Sequence, residues 1–209
     1  MLGRLRAGGA PVVTLGGGAL ATTNGRALLV RDPDGYLIEV RQAPAAAVSK
    51  AVMPGDVIET SIGLTVAQRG RSLAFYGTLL GFSVRQTRTA TAAELRVNGL
   101  AGGRLTETIA QIPGTAATVV LSEFALPAGV TPATAFAWRL QDIGSPQFQL
   151  EVNGLDALIG RTKGAGYRFL SVGAKPIQHA FGRFVFAIDP DTALVEFVEP
   201  AEIPTKAAQ

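Results

Sequence analysis

Several short stretches of this chain alternate apolar and polar positions with a period of two, and each ends in turn-forming residues. "GRALLVRDPDGYLIEV" (25–40) reads as strand, turn and strand. Pro33 fixes φ at the second turn position and Gly35 accepts a positive φ after it. "GRFVFAIDPDTALVEF" (182–197) has the same layout. In each second strand one carboxylate, Glu39 or Glu196, stands among apolar residues.

"SIGLTV" (61–66) and "QFQLEV" (147–152) predict further strands. In the first, Ile62, Leu64 and Val66 share a face that should pack under a helix, and Ser61, Gly63 and Thr65 share the opposite one. In the second, Phe148, Leu150 and Val152 oppose Gln147, Gln149 and Glu151. The period then changes to that of a helix: Leu73, Tyr76 and Leu80 recur at i, i+3 and i+7, with Phe75 and Leu79 beside them. Gly81 and Gly166 stand where helices stop.

The patterns repeat. Asp32 set against Asp189, 157 residues on, brings Gly25, Arg26, Pro33, Asp34, Leu37 and Glu39 onto Gly182, Arg183, Pro190, Asp191, Leu194 and Glu196. A shorter echo sets "LSEFALP" (121–127) against "LVEFVEP" (194–200), which aligns Glu123 with Glu196. "GLTVAQRGRSLAFYGTLLGFSV" (63–84) and "QLEVNGLDALIGRTKGAGYRFLSV" (149–172) are each strand, helix, Gly stop and strand.

The chain therefore parses as one strand–helix–three-strand unit used two and a half times. Residues 1–43 are the second half of such a unit, 44–56 an Ala/Pro-rich linker, 57–127 and 145–200 two full units within a domain at 57–200, and 201–209 a tail. The half-unit carries Val12, Leu28, Val30, Ile38 and Val40 on a face with no helix of its own. That predicts either a longer chain or a homo-oligomer joined through the half-unit.

Composition narrows the function classes. The net charge is only +3 despite a pI near 9.6, and the cations are scattered, so nucleic acid is not an expected partner. There is no cysteine, which removes thiolate chemistry and Cys-based zinc sites. A single histidine, His179, reads as a loop or rim residue. No apolar run reaches membrane-spanning length and no signal-peptide pattern is visible, so a cytoplasmic location without membrane contact is the expectation.

"RSLAFYGTLLGF", "DPDGYLIEV" and the paired βαβββ units resemble the vicinal oxygen chelate superfamily of glyoxalases, bleomycin resistance proteins and extradiol dioxygenases. The resemblance implies an α+β fold in which paired βαβββ units form an incomplete β-barrel, here with an N-terminal βββ half-unit. It also implies a metal site from the first and last strands of each unit, which falls on Ser61, Glu123, Gln147 and Glu196. Ser61 and Gln147 stand where histidines are usual, so two-His iron chemistry is not expected.

Two readings follow. One is a small-molecule-binding protein with a degenerate metal site. The other is a lyase or isomerase of glyoxalase I type, dependent on Mg, Mn, Ni or Zn, with Glu123 and Glu196 as catalytic carboxylates. Arg183 is the candidate contact for an anionic substrate group, and Tyr76 reads as core rather than as a catalytic phenol. Trp138 and Phe136 read either as pocket lining or as packing of a connecting strand.

Overall fold

The computed structural model describes residues 3, 7–42, 44, 57, 59–132, 139–142 and 145–201. Trp138, Phe136 and most of the 44–56 linker lie outside the described residues. Among the described residues three open sheets make up the α+β architecture. The first, in the order β1-β2-β3, contains β1 (Leu20–Thr22), β2 (Gly25–Arg31) and β3 (Leu37–Gln42).

The second sheet, in the order β4-β7-β6-β5, contains β4 (Ser61–Val66), β5 (Ser83–Thr89), β6 (Arg104–Gln111) and β7 (Thr118–Ala125). The third, in the order β10-β11-β12-β8, contains β8 (Gln147–Glu151), β10 (Ile177–His179), β11 (Gly182–Ile188) and β12 (Leu194–Pro200). A short β9 (Arg168–Phe169) also pairs with β11. In both large sheets the first strand runs parallel to the last, which is the arrangement a βαβ crossover demands.

The 157-residue repeat extends to individual hydrogen bonds. Every β2–β3 pair, from Arg26↔Gln42 to Arg31↔Leu37, recurs in β11–β12 as Arg183↔Glu199 to Ile188↔Leu194. At the turn, Asp32 Oδ1 accepts from the amides of Asp34 and Tyr36, and Asp189 Oδ1 accepts from those of Asp191 and Ala193. Gly25 and Gly182 open the paired strands at positive φ, where a Cβ would lie 2.0 Å from Gln42 O or 2.2 Å from Glu199 O. Only glycine fits so close to a neighbouring carbonyl.

The chain forms two compact units, Met1–Gly70 with Gly81–Ala133, and Arg71–Leu80 with Thr134–Gln209. In the first unit Val66, Val119, Leu121 and Ala110 are buried on one face of the β4–β7 sheet. Ile62, expected under a helix, is exposed. The helix α1 (Arg69–Leu73, continued as a π-helical turn over Ala74–Leu79) instead places residues 71–80 in the second unit.

Its buried face also differs from the expected stripe. Ser72, Phe75 and Tyr76 are fully buried, while Leu73 and Leu80 are only half-buried. The π-turn shifts the angular spacing after Leu73, so a regular 3.6 period misassigns the face. Leu80 N donates to Phe75 O across five residues, and Gly81 then ends the helix at φ +79°.

A second helix, α2 (Ala92–Val97), interrupts the expected strand-only run in this unit. Thr91 and Glu94 form a reciprocal capping box at its start. The T-x-x-E spacing at 91–94 is a sequence-level helix start that the strand periodicity had obscured. On one side α2 buries Leu95 with Ala90 and Leu105. On the other, Val97 packs with Ala27 and Leu29 of the half-unit, flanked by Val13 and Leu20.

The half-unit is thus docked within its own chain. Leu28 and Val30, expected on a bare face, are buried; Ile38 on β3 is exposed, as expected of a bare face. In the second unit Val185, Ala187, Val195 and Phe197 are completely buried on one sheet face, as is Leu155 of α3 (Leu155–Gly164), which packs against β12. Phe148 stacks on Tyr76, and Tyr167 meets Phe75 edge to face.

Candidate functional site

The opposite face of the β8–β12 sheet carries the candidate site. Strand pairing sets Gln149, Glu196 and Phe186 in one row across β8, β12 and β11. Gln147, Leu194 and Ile188 form the row on one side of it, and Glu151, Val198, Phe184 and Ile177 the row on the other. Gln147 and Glu196 therefore share this face, as strand alternation predicts.

Phe184 and Phe186 meet edge to face with centroids 5.9 Å apart, and Phe181 stacks on Phe184 at 5.9 Å. Glu196 is half-buried beside Phe186, and burial raises its pKa above the ordinary carboxylate value. A carboxylate in such surroundings gains most from a ligand that brings a hydrogen-bond donor or a cation.

Glu123 does not occupy the corresponding place in the first unit. It is paired with Val66, whereas Ser61 is paired with Thr118, five residues back along β7. That separation is about 16 Å at roughly 3.3 Å per residue. The odd number of steps also puts the two side chains on opposite faces of the sheet. Ser61 and Glu123 therefore do not converge as a ligand pair.

Glu123 acts at the helix instead: its Oε1 accepts from Arg69 N, at the start of α1, at 3.1 Å. In the second unit Glu199 Oε1 accepts from Leu155 N at 3.0 Å and Gly154 N at 2.9 Å, at the start of α3. Each carboxylate caps the helix that follows the first strand of its unit, where the amide dipoles favour negative charge. The structural counterpart of Glu123 is thus Glu199, and Val120, paired with Gly63, stands where Glu196 stands opposite Gln149.

The four-residue similarity of LSEF to LVEF aligned the two strands three residues out of step. Strand pairing and the cap together fix the true register.

Arg183 is committed to carboxylates. Its guanidinium donates to Glu199 through both Nε and Nη2, and to Asp156 Oδ2 at 3.0 Å. It borders an open groove of about 460 Å³ with Asn153, Gln178, Gly182, Glu199, Pro200 and Ala201. Those ion pairs hold Glu199 below the ordinary carboxylate range, so this rim already carries its own counter-charges. His179 ends β10, exposed, with its ring against Phe181 at 4.3 Å.

Within the first unit Ser61 and Glu123 lie too far apart along the strands to share an ion. Among the described residues no three His, Cys, Asp or Glu side chains cluster to hold an ion. On this face the second unit supplies Glu196, flanked by Gln147 and Gln149, and the exposed Glu151 one row on, and in the first unit Glu123 is turned to the helix cap.

Many solved structures share this architecture. A glyoxalase family protein from Bacillus cereus overlays 72% of this chain and 99% of its own, at TM-score 0.62 and 15% identity. The paired-βαβββ fold is therefore that of the glyoxalase/bleomycin resistance/dioxygenase proteins. A single-site variant of glyoxalase I from Zea mays overlays 94% of this chain and 62% of its own, at TM-score 0.59 and 17% identity. A glyoxylase/bleomycin resistance protein/dioxygenase domain from a Frankia species overlays 68% and 97%, at TM-score 0.50 and 18% identity. No family model and no curated protein matches the sequence.

This fold hosts several chemistries, so the site and not the scaffold must carry the function. Strand alternation placed Glu196 and Gln147 on one face because alternation is local. Phe184 and Phe186 share that face without having been singled out, and their signal was the regular "RFVFAI" alternation facing the same way as the glutamate. Among the described residues no helix is long and apolar enough to cross a membrane.

Proposed function

We propose that this protein binds a small organic molecule on the β8–β12 face without a resident metal. The observation that carries the reading is the Glu196–Phe186 row: one half-buried carboxylate with a raised pKa, opposite an aromatic ring and beside Gln149. Phe184 and Phe186 supply flat apolar area for a ring or hydrocarbon skeleton. Gln147 and Gln149 supply amide donors and acceptors, and Glu196 accepts from a hydroxyl, amine or amide of the ligand.

The metal-dependent lyase or isomerase reading requires Glu123 and Glu196 to share an ion. The role of Glu123 as a helix cap supports the binding reading instead.

The test is a thermal-shift screen of small cyclic compounds bearing hydroxyl or amino groups, followed by nuclear magnetic resonance mapping. Hits should perturb Phe184 and Phe186 and lose at least tenfold in affinity in Phe186→Ala. Hits that map elsewhere would remove the proposal. Metal analysis after supplementation with Mg, Mn, Ni and Zn should find less than stoichiometric metal. A full equivalent that disappears in Glu196→Ala would establish the metal-dependent alternative.

A further inference from the structure

The two aspartate turns are the same structure in different states of occupancy. At 189–193 the turn is engaged by helix α1: Tyr76 donates its hydroxyl to Asp189 Oδ2 at 2.7 Å, and Ser72 donates to Asp191 Oδ2 at 2.9 Å. Ser72 and Tyr76 are four residues apart, so they project from one face of the helix. Asp189 is buried there, along with Ala193, Leu194 and Val195.

At 32–36 every backbone feature of the turn is reproduced. Asp32 Oδ1 accepts from Asp34 N at 3.0 Å and Tyr36 N at 2.8 Å, and Asp32 N donates to Tyr36 O at 2.9 Å. Among the described residues no side chain donates to Asp32 Oδ2 or to the Asp34 carboxylate. The residues that correspond to buried Leu194 and Val195 are Leu37 and Ile38, 54% and 46% exposed. Among the described residues β3 has no strand neighbour on its outer side, whereas β12 is paired with β8.

We infer that the Asp32–Asp34 turn and the adjoining Leu37–Ile38 surface are a docking site for a helix of another protein. That helix carries two hydroxyl side chains four residues apart beside aromatic or aliphatic residues, as α1 does. Two features of the surface select it. The free carboxylate oxygens accept hydroxyl donors in the geometry that Asp189 and Asp191 display, and the apolar pair beside them takes the helix's greasy flank. A second copy of this chain is a poorer occupant, because its α1 would have to leave the Asp189 turn and uncover a buried carboxylate for the one it covers.

The experiment titrates the full-length protein with a synthetic peptide of residues 59–82, which contains Ser72 and Tyr76, and reads fluorescence anisotropy of a labelled peptide. Saturable binding is expected, weakened at least tenfold by Asp32→Asn with Asp34→Asn. Asn at 32 keeps an oxygen to accept from the turn amides, so the turn itself is retained. A peptide with Ser72→Ala and Tyr76→Phe should lose a similar factor, and the two losses should not add when combined.

Absence of saturable binding at millimolar peptide overturns the inference. So does binding that survives Asp32→Asn with Asp34→Asn, for example by exchange at the Asp189 turn. If those variants fail to fold, the altered peptide against the unaltered protein decides alone. Self-association of the full chain that the turn variants abolish would assign the surface to a second copy and overturn the inference as stated.

Discussion

Tyr76 and Asp189 form a buried pair: the phenol donates to Oδ2 at 2.7 Å, and neither residue has appreciable contact with water. Burial pushes the Asp189 carboxyl above the ordinary aspartate range, although three hydrogen bonds oppose the shift. Burial and the neighbouring Asp189 charge push the Tyr76 phenol well above its ordinary value. A carboxylate that the fold prefers to keep protonated binds more protons in the folded than in the unfolded state. Stability therefore falls as pH rises from the unfolded aspartate pKa, about 3.9, toward the raised folded value.

The first prediction concerns this pair. Asp189→Asn keeps the turn acceptor and removes the buried charge, so it should flatten the fall in stability above about pH 4. Tyr76→Phe leaves the carboxylate without its hydroxyl donor and should cost about 1–3 kcal/mol at neutral pH. Urea unfolding of both variants from pH 4 to 8 checks the sign and the size. A steeper pH dependence in Asp189→Asn would contradict the assignment.

Glu123 and Glu196 should behave oppositely on truncation. Glu123→Ala removes the acceptor for Arg69 N and should destabilise by about 1 kcal/mol, the usual worth of a helix cap. Glu196→Gln removes a carboxylate that burial disfavours and should leave the unfolding midpoint unchanged or raised at neutral pH, while weakening ligand binding. Chemical denaturation of the two variants side by side separates the cap from the site.

Thr192 is the position where the two turns differ in strain. It holds φ +74°, where its counterpart Gly35 holds φ +96°. A β-branched residue in the left-handed region is strained by about 1–2 kcal/mol. Thr192→Gly should raise stability by several tenths of a kcal/mol after glycine's unfolded-state entropy is counted. Gly35→Thr should lower it. Calorimetric midpoints moving in the same direction for both substitutions would refute the account.

Arg88 holds two buried carboxylates. It donates to Glu94 Oε1 at 2.8 Å and pairs with Glu107 on β6. Burial raises the pKa of Glu107 in spite of Arg88 and Arg41, while the capping-box bonds and Arg88 hold Glu94 low against its burial. Arg88→Ala should cost about 3–5 kcal/mol because it strands charge in the interior. Arg88→Lys should recover only part of it, since an ammonium cannot span both partners as a planar fork does. Denaturant unfolding of both variants is the check.

How far the sequence could be read depended on how local each signal was. The "DPD" turns, the strand faces of "QFQLEV" and the 157-residue repeat rest on contacts a few residues apart, and they appear in the structure hydrogen bond for hydrogen bond. Gln147 and Glu196 were placed on one face for the same reason. Glu123 was misplaced because four matching letters do not measure how far one strand has slid along another. The ladder from Ser61↔Thr118 to Val66↔Glu123, and the amide of Arg69, measure it.

The sequence by itself determined the repeating unit, the turn chemistry and which residues of each strand share a face, since periodicity and turn propensity are written locally; the α+β class came from the family resemblance. The tertiary structure alone decided that residues 71–80 belong with the second unit, that Glu123 caps a helix, and that one aspartate turn is covered by helix α1 while its copy has no such cover among the described residues. These outcomes depend on register and on long-range docking. Their energy comes from contacts between residues 50 to 120 positions apart, and no local pattern encodes such contacts.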